Sequence, residues 1–315
     1  MNELTKDSLQ QALMAHYKFD DTGAIGKDSS GAERHAVLAG SRSLPSVGTV
    51  AGRKAVTLKG GSHGSSYLQL PSRLLDGAGD HTGLTVAAWV YFGQGASVWE
   101  RIFDFGAGPQ GPYLFLTRKL RGVCFAGSDL AADAGKSFPA GQWLHIALSV
   151  SGTKGGTASS AGPVLYVNGE LAADGSISQT SSGAYAKLRE WFASLAHDGA
   201  YSHNYIGKSQ YDADADFSGS LSDFRVYRAG LTQDEVIDVM CESLCEEEIV
   251  KLAAGKYLSL PSSIVTADVT LPASLMGGKA AVAWHSSNPE ALGHDGSVGK
   301  GLTAPQAVTL TARLP

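Results

Sequence analysis

Short apolar runs, broken by turns rich in glycine and aspartate, recur along most of this chain. Residues 13–19 (LMAHYKF), 55–58 and 66–70 read as strands. Residues 84–92 (LTVAAWVYF) are dense in branched and aromatic side chains, the composition of a strongly β segment. Residues 101–105 and 113–117 flank GAGPQG and predict a hairpin. Residues 143–149 (WLHIALS) alternate. Residues 164–167 run into Asn168-Gly169, a pair suited to a type I′ turn. Residues 204–207 and 221–227 complete the set. The alternation assigns Trp89 and Trp143 to the core, and His16 and His145 to strands as hydrogen-bonded structural residues.

Two stretches break the period of two. Residues 185–196 (YAKLREWFASLA) have helical spacing and predict a short helix or lid-like insertion. Trp191 and Phe192 there either pack that insertion onto the sandwich or line a site. After Leu231, Thr232 stands as an N-cap with Glu235 three residues on, a capping box. Val236, Ile237, Val239, Met240 and Leu244 give the helix its apolar stripe. The acidic run 246–248 marks its end and reads as a solvated linker face. Beyond residue 264 come further strand–turn units (VTADVTLP, AAVAWHSSNP, HDGSVG, AVTLTARL), with Trp284 plugging a small second core. The expectation is an all-β chain in two modules: residues 10–245, a linker 246–263, and residues 264–315.

Composition narrows the classes. With 315 residues, the chain is too long for one typical β-sandwich and suits two domains. Apolar residues make up 43%, enough for real cores, and charged residues only 17%, which excludes a disordered polyelectrolyte. The net charge is −5 and no basic stripe appears, which argues against nucleic acid and anionic membrane as partners. Cys124, Cys241 and Cys245 show neither a disulfide framework nor zinc spacing. Cys241 and Cys245, four apart in the predicted helix, read as neighbouring small packing residues. No apolar run reaches the roughly 18 residues of a membrane span. Residues 1–10 are polar and lack a signal-peptide core, so either the protein is cytosolic or a signal lies outside this sequence.

Fragments spread along the first module carry a resemblance. They are HYKFDD with DSSG and a following His, LTVAAWVYF, RIFDFG with YLFLT, GQWLHIALSVSG with LYVNGE, and NYIGKSQY with FSGSLSDFRVYRAGLTQDEV. In this order and spacing, they resemble the laminin-G-like, concanavalin A-like jelly-roll modules of bacterial carbohydrate-active proteins. The tail (LP…WHSSNP…GSV…TLTA) resembles a bacterial immunoglobulin-like module without its last strands, where a complete sandwich runs to ~100 residues. Such pairs flank glycoside hydrolases acting on arabinose- or xylose-containing polymers. The resemblance therefore implies a non-catalytic carbohydrate-binding module of a larger protein, secreted or on a bacterial cell surface. Its partners would be a polysaccharide or oligosaccharide and the rest of the parent polypeptide. A protein-binding or adhesion module, or a structural spacer, are the competing readings.

The same resemblance implies a structural calcium ion joining the opening loop to the closing strand. The matching positions are Asp20, Asp28 and Asp223, with a carbonyl near His35. The plainer reading is that these aspartates cap turns. For sugar contacts the expected residues are Trp99, Arg101, Asp104, Tyr113, Asn204, Gln210 and Tyr211. They combine aromatic faces with groups that hydrogen-bond hydroxyls. The glucanase pattern of two glutamates around an aspartate on one strand is missing from the sequence. Asp212, Asp214 and Asp216 alternate in YDADADF, a turn-rich stretch that reads as a solvated loop or weak cation site. No nucleophile elbow, zinc-protease motif or phosphate loop occurs, so no catalytic set is assigned.

Overall fold

The computed structural model describes residues 6–76, 83–95, 97–109, 111–125, 128–135, 140–151, 160–178, 182–195, 201–260 and 263–314. The chain divides into one unit through Val236 and another from Ile237. The first opens with α1 (Lys6–Ala12), β1 (Leu13–Tyr17), β2 (Val37–Ala39), β3 (Ser46–Val50), β4 (Arg53–Gly61) and β5 (Tyr67–Leu70). Then come β6 (Gly83–Phe92), β7 (Arg101–Gly106), β8 (Tyr113–Thr117), β9 (Arg121–Phe125) and β10 (Asp129–Asp133). The unit continues with β11 (Trp143–Ser151), β12 (Ser160–Val167), β13 (Glu170–Asp174), β14 (Ile177–Ser178), α2 (Ser182–Ser194), β15 (His203–Ile206) and β16 (Asp216–Tyr227). The helix α3 (Gln233–Cys241) follows.

Among the described residues, the strands form two large antiparallel sheets. The nine-stranded sheet runs β13-β12-β11-β6-β16-β4-β3, with β1 also on β16 and β14 on β12. The seven-stranded sheet runs β10-β9-β8-β7-β15-β5-β2. Neighbours such as β6–β16 and β7–β15 are far apart in sequence, as in a jelly roll. Alternation supplies the core between the sheets. Leu84, Val86, Ala88, Val90 and Phe92 enter from one side, and Phe103, Phe105, Leu114, Leu116 and Ile206 from the other. From α2, Leu188, Trp191 and Phe192 join the same core, so this insertion packs onto the sandwich. The last residue of the predicted helix, Ala196, lies outside the described residues.

Two local expectations are realised atom by atom. Asn168 and Gly169 both take positive φ (51° and 78°), the type I′ geometry. At α3, Thr232 N donates to Glu235 Oε2 at 2.7 Å and Glu235 N reaches Thr232 Oγ1 at 3.4 Å. The same parity corrects the two tryptophans. Val86, Ala88 and Val90 point between the sheets, so Trp89 points the other way. It lies buried on the far face of the nine-stranded sheet, with the Arg53 guanidinium 4.3 Å from its ring centroid. Trp143 faces the same way, and its Nε1 donates to Val50 O at 2.9 Å. His145 packs edge-on to Trp89, but among the described residues its Nδ1 has no hydrogen-bond partner. Burial pushes its pKa down to about 3, so the ring is neutral.

The second unit carries α4 (Glu246–Leu252), a π-helical turn (Ala253–Tyr257), β17 (Ser274–Leu275), β18 (Ala280–Ala281), β19 (Ala283–Ser286) and β20 (Leu310–Arg313). β17 pairs with β18, and β19 with β20. The acidic run 246–248, expected to end a helix, begins one. Three glutamates fill the first turn of α4, where the helix dipole favours anions. Cys245 caps α4 while Cys241 ends α3, so the two thiols do not share a helix. Trp284 is half-buried, with Nε1 donating to Pro272 O at 2.9 Å.

Candidate functional site

The face of the seven-stranded sheet turned away from the core holds most of the sequence-nominated residues. Since Phe103, Phe105, Leu114 and Leu116 point inward, Asp104, Tyr113 and Phe115 point outward. The ladders align Gln69, Tyr205, Asp104, Phe115 and Val123 in one row across five strands. In the next row Gly106 stands between His203 and Tyr113. Tyr113 packs at a tilt against Phe115 and Phe125, with centroids 5.3 and 5.2 Å away, and its hydroxyl donates to Asp129 Oδ1 at 2.8 Å. Across the row, Tyr67 meets Tyr205 edge-on at 5.6 Å, with Lys208 Nζ 4.4 Å from the Tyr205 ring.

Residues 207–216 form a strap over this face. The base of the strap is closed, because Phe217 N donates to Gly207 O and Gly207 N to Ile102 O. Its interior is self-bonded. Ser209 Oγ donates to Asp214 Oδ2 at 2.8 Å and accepts from Tyr211 N at 3.1 Å. Compact loops of this kind, with adjoining ends, are Ω-loops. Asp104 holds the strap down, accepting from Gln210 N at 3.2 Å and Gln210 Nε2 at 2.9 Å. Arg101 lies 3.3 Å from Asp104 and 3.2 Å from Asp214, so one guanidinium ties sheet to strap. A bulge between Arg101 and Phe103 puts Arg101 on the same face as Asp104.

Beside the strap, Trp99 is held by a prearranged loop. Arg101 donates to Trp99 O at 2.7 Å, and its guanidinium lies 5.7 Å from the Trp99 ring and 4.1 Å from the Phe115 ring. Glu100, buried, accepts from Ser97 N, Arg118 and Ser218 N. Trp99 itself is 47% exposed. The result is a connected strip, Trp99–Arg101–Phe115–Tyr113, with the half-buried Tyr211 on the strap beside it.

The nominated residues thus divide by role. Trp99, Tyr113 and Tyr211 retain open surface. Arg101, Asp104 and Gln210 are buried in the joint beneath the strap. Asn204 turns inward and is fully buried, its Nδ2 donating to Pro71 O and Tyr201 O. The sequence reading missed Phe115, Tyr205 and Gly106. Their signal was the alternation in YLFLT and HNYI, where the inward Ile206 assigns Tyr205 outward and Asn204 inward.

Asp104 is 1% exposed, and its burial outweighs Arg101 and Gln210 to push its pKa up to about 6. A folded pKa raised above the unfolded value favours the folded state most at low pH. That contribution is lost as pH rises through about 6. We therefore expect wild type to lose about 3 kcal/mol relative to Asp104→Asn between pH 4 and pH 7. Urea denaturation of both proteins at the two pH values checks this, and a constant difference refutes it.

The structure does not gather the three aspartates expected around calcium into one group. Asp28 accepts from His16 N, Ser30 N, Ser30 Oγ and Arg34 N, all within 2.9 Å. Asp223 is taken by His16 Nε2 at 2.5 Å and by Arg225 Nε at 3.0 Å. Asp20 is exposed, beside a small cavity of about 210 Å³ that Asp21 and Lys27 also line. Among the described residues, no group of three His, Cys, Asp or Glu side chains is placed to hold a metal.

Comparisons with known proteins agree with this architecture. A family model described as the concanavalin A-like lectin/glucanases superfamily matches residues 61–237. No curated protein matches the sequence. Among solved structures, domain 4 of AbnA, a GH43 extracellular arabinanase from Geobacillus stearothermophilus, in complex with arabinotriose, is similar. It is 22% identical, with 72% of this chain and 97% of that chain covered and a TM-score of 0.53. The binding domain of botulinum neurotoxin DC in complex with rat synaptotagmin II is 11% identical, covering 76% of this chain and 53% of that chain, with a TM-score of 0.52. A botulinum neurotoxin type C structure, described by cell entry that depends on two ganglioside molecules, is 12% identical with the same coverage and TM-score. At these identities the likeness is one of fold.

Proposed function

Since this chain belongs to the concanavalin A-like lectin/glucanase superfamily, we propose that its first unit binds carbohydrate on the outward face of the seven-stranded sheet without cleaving it. The observation that carries this reading is a pair of open aromatic side chains, Trp99 and Tyr113, held in place before any ligand arrives through the buried Arg101 and Phe115 between them. Sugar rings present C–H faces that stack on aromatic rings and hydroxyls that need hydrogen-bond partners. Tyr113, Tyr211 and Asp129 supply the second kind of contact at the strip's edge.

The two carboxylates at the joint beneath the strap support a binding role over a hydrolytic one. Asp104 is spent on Gln210 and Arg101, and Asp214 on Ser209 and Arg101. A glycosidase needs two carboxyl groups free to face one bond. We assign the ligand to an arabinose- or xylose-type polysaccharide, an assignment supported by the arabinotriose bound to the similar arabinanase domain. In a secreted or cell-surface parent glycosidase, such a unit would act by raising the enzyme's effective concentration at the polymer.

Affinity electrophoresis through gels containing arabinan, arabinoxylan or other polysaccharides tests this. The expected result is retardation by an arabinose- or xylose-type gel with no release of reducing sugar. Trp99→Ala should weaken that binding by about tenfold, the loss of one stacking contact of ~1.4 kcal/mol. Its melting temperature should stay near wild type, because about half of Trp99 already faces solvent. No retardation in any gel by a normally folded protein would leave a protein-binding or spacer role instead.

A further inference from the structure

A loop lying across the middle of a sheet has little backbone to bond to, because the central strands spend their N–H and C=O groups on one another. The strap solves this with side chains: Arg101 reaches Asp214, His63 bonds Ser209 O, and Gln210 reaches down to the sheet itself. Gln210 lies over Gly106 on β7, so close that a Cβ on Gly106 would run into its carboxamide. Its Nε2 and backbone N donate to Asp104, and its Oε1 accepts from Gly108 N at 2.5 Å. The one residue therefore contacts both the middle of β7 and the turn beyond it. The next residue along the strap is Tyr211, whose hydroxyl is one of the groups that raise the Tyr113 pKa, after burial and the bond to Asp129.

We propose that Gly106, Asp104 and Gln210 are positioning residues that set the height of the strap and so place Tyr211 beside Tyr113 as a wall of the sugar-binding face. They touch no sugar. Gly106 leaves the slot, Asp104 holds the amide donors and Gln210 carries the strap down into the slot. This rests on the carbohydrate reading above. It also explains why three residues that look like sugar contacts in sequence lie under the strap: Arg101, Asp104 and Gln210 are 8% exposed or less.

Gly106→Ala is the discriminating variant. Gly106 does not have the left-handed backbone that only glycine favours, and the added methyl meets the far end of one flexible side chain. The fold should survive while Gln210 is expelled. Two measurements on the full chain separate the possible outcomes: hydrogen exchange by mass spectrometry across residues 104–109 and 207–216, and arabinotriose titration by calorimetry. In Gly106→Ala, exchange at Gln210 and Gly108 should accelerate at least tenfold with the remaining sheet unchanged. The arabinotriose dissociation constant should rise at least tenfold. Asp104→Ala should behave alike. Asp104→Asn keeps an acceptor for Gln210 Nε2 and should recover part of the affinity, a rescue that a purely structural role does not predict.

Unchanged exchange in the strap overturns the proposal. So does a loosened strap with wild-type affinity, and in both cases the sugar reading stands. A wild-type protein that does not bind arabinotriose removes the arabinose assignment and the wall together. That outcome is recognisable because it appears before any substitution is made.

Discussion

Arg225→Ala is expected to destabilise the first unit by about 3 kcal/mol, the lower end of the usual cost of removing one partner of a buried ion pair, since Asp223 keeps His16. Arg225 is buried, with Nε 3.0 Å from Asp223 Oδ1 and a second guanidinium nitrogen 3.1 Å from Oδ2. A further nitrogen donates to the Tyr227 hydroxyl. Asp223 sits at positive φ (53°) in a bulge of β16, and its other partner is His16 on β1. His16 N in turn donates to Asp28 in the opening loop. One guanidinium therefore supports a chain of contacts joining the first strand, the first loop and the last strand.

Burial alone would raise the Asp223 pKa, but the His16 hydrogen bond and the Arg225 charge outweigh it and hold the carboxyl below the usual range. With a lowered folded pKa, its stabilising contribution is complete above about pH 4 and is lost as pH falls below that. Thermal melts should show Arg225→Ala lower by roughly 10 °C or more at pH 7. The gap should narrow in acid. Calcium should not restore the variant, because Asp28 remains fully occupied by N–H and O–H donors. A variant that melts within a degree or two of wild type would show that the latch contributes little.

Glu100→Ala is expected to lose comparable stability, about 3–5 kcal/mol, and the strip proposed to bind sugar with it. Glu100 is 1% exposed and pairs with Arg118 at 3.1 Å. Arg118 also donates to the carbonyls of Gly93 and Ser218 and lies over the Phe92 and Phe217 rings. Gly95 passes so close that any Cβ there would meet the guanidinium. The pair is thus the floor on which the Trp99 loop rests. Removing the carboxylate strands a cation and frees Ser97 N and Ser218 N together. Glu100→Gln keeps the shape and should cost less, about 1–2 kcal/mol. Urea denaturation gives the stability order. Affinity electrophoresis should show Glu100→Ala binding as weakly as Trp99→Ala. Wild-type affinity in Glu100→Ala would mean that the Trp99 loop orders itself by other contacts.

The sequence and the structure agree most closely where a property depends on neighbouring residues. Alternation placed β6, β7, β8 and β11 within a residue or two. Asn168-Gly169 and Thr232 with Glu235 did what their local chemistry requires. The sequence reading did not foresee α1, a short helix whose stability comes from packing more than from propensity. It also misjudged the acidic run 246–248, because the same glutamates can end one helix or begin the next.

Side-chain roles at the candidate site were legible as residue types but not as positions. Trp99, Tyr113 and Tyr211 kept the open surface expected of sugar contacts. Arg101, Asp104 and Gln210 have the same chemical vocabulary, yet they are consumed by one another. Gln210 meets Asp104 across 106 residues of chain. Nothing in either local stretch encodes that meeting.

The sequence by itself determined the fold class and the position of the strongest strands, because periodicity is a local consequence of backbone geometry. It also named the chemical groups available for recognition. Only the tertiary structure decided which of those groups remain free. Crossovers bring β7 beside β15 and lay the strap over both, and burial then converts exposed-looking polar residues into one another's partners. Whether a charge meets solvent, ligand or counter-charge depends on distances through space, and periodicity carries no information about those.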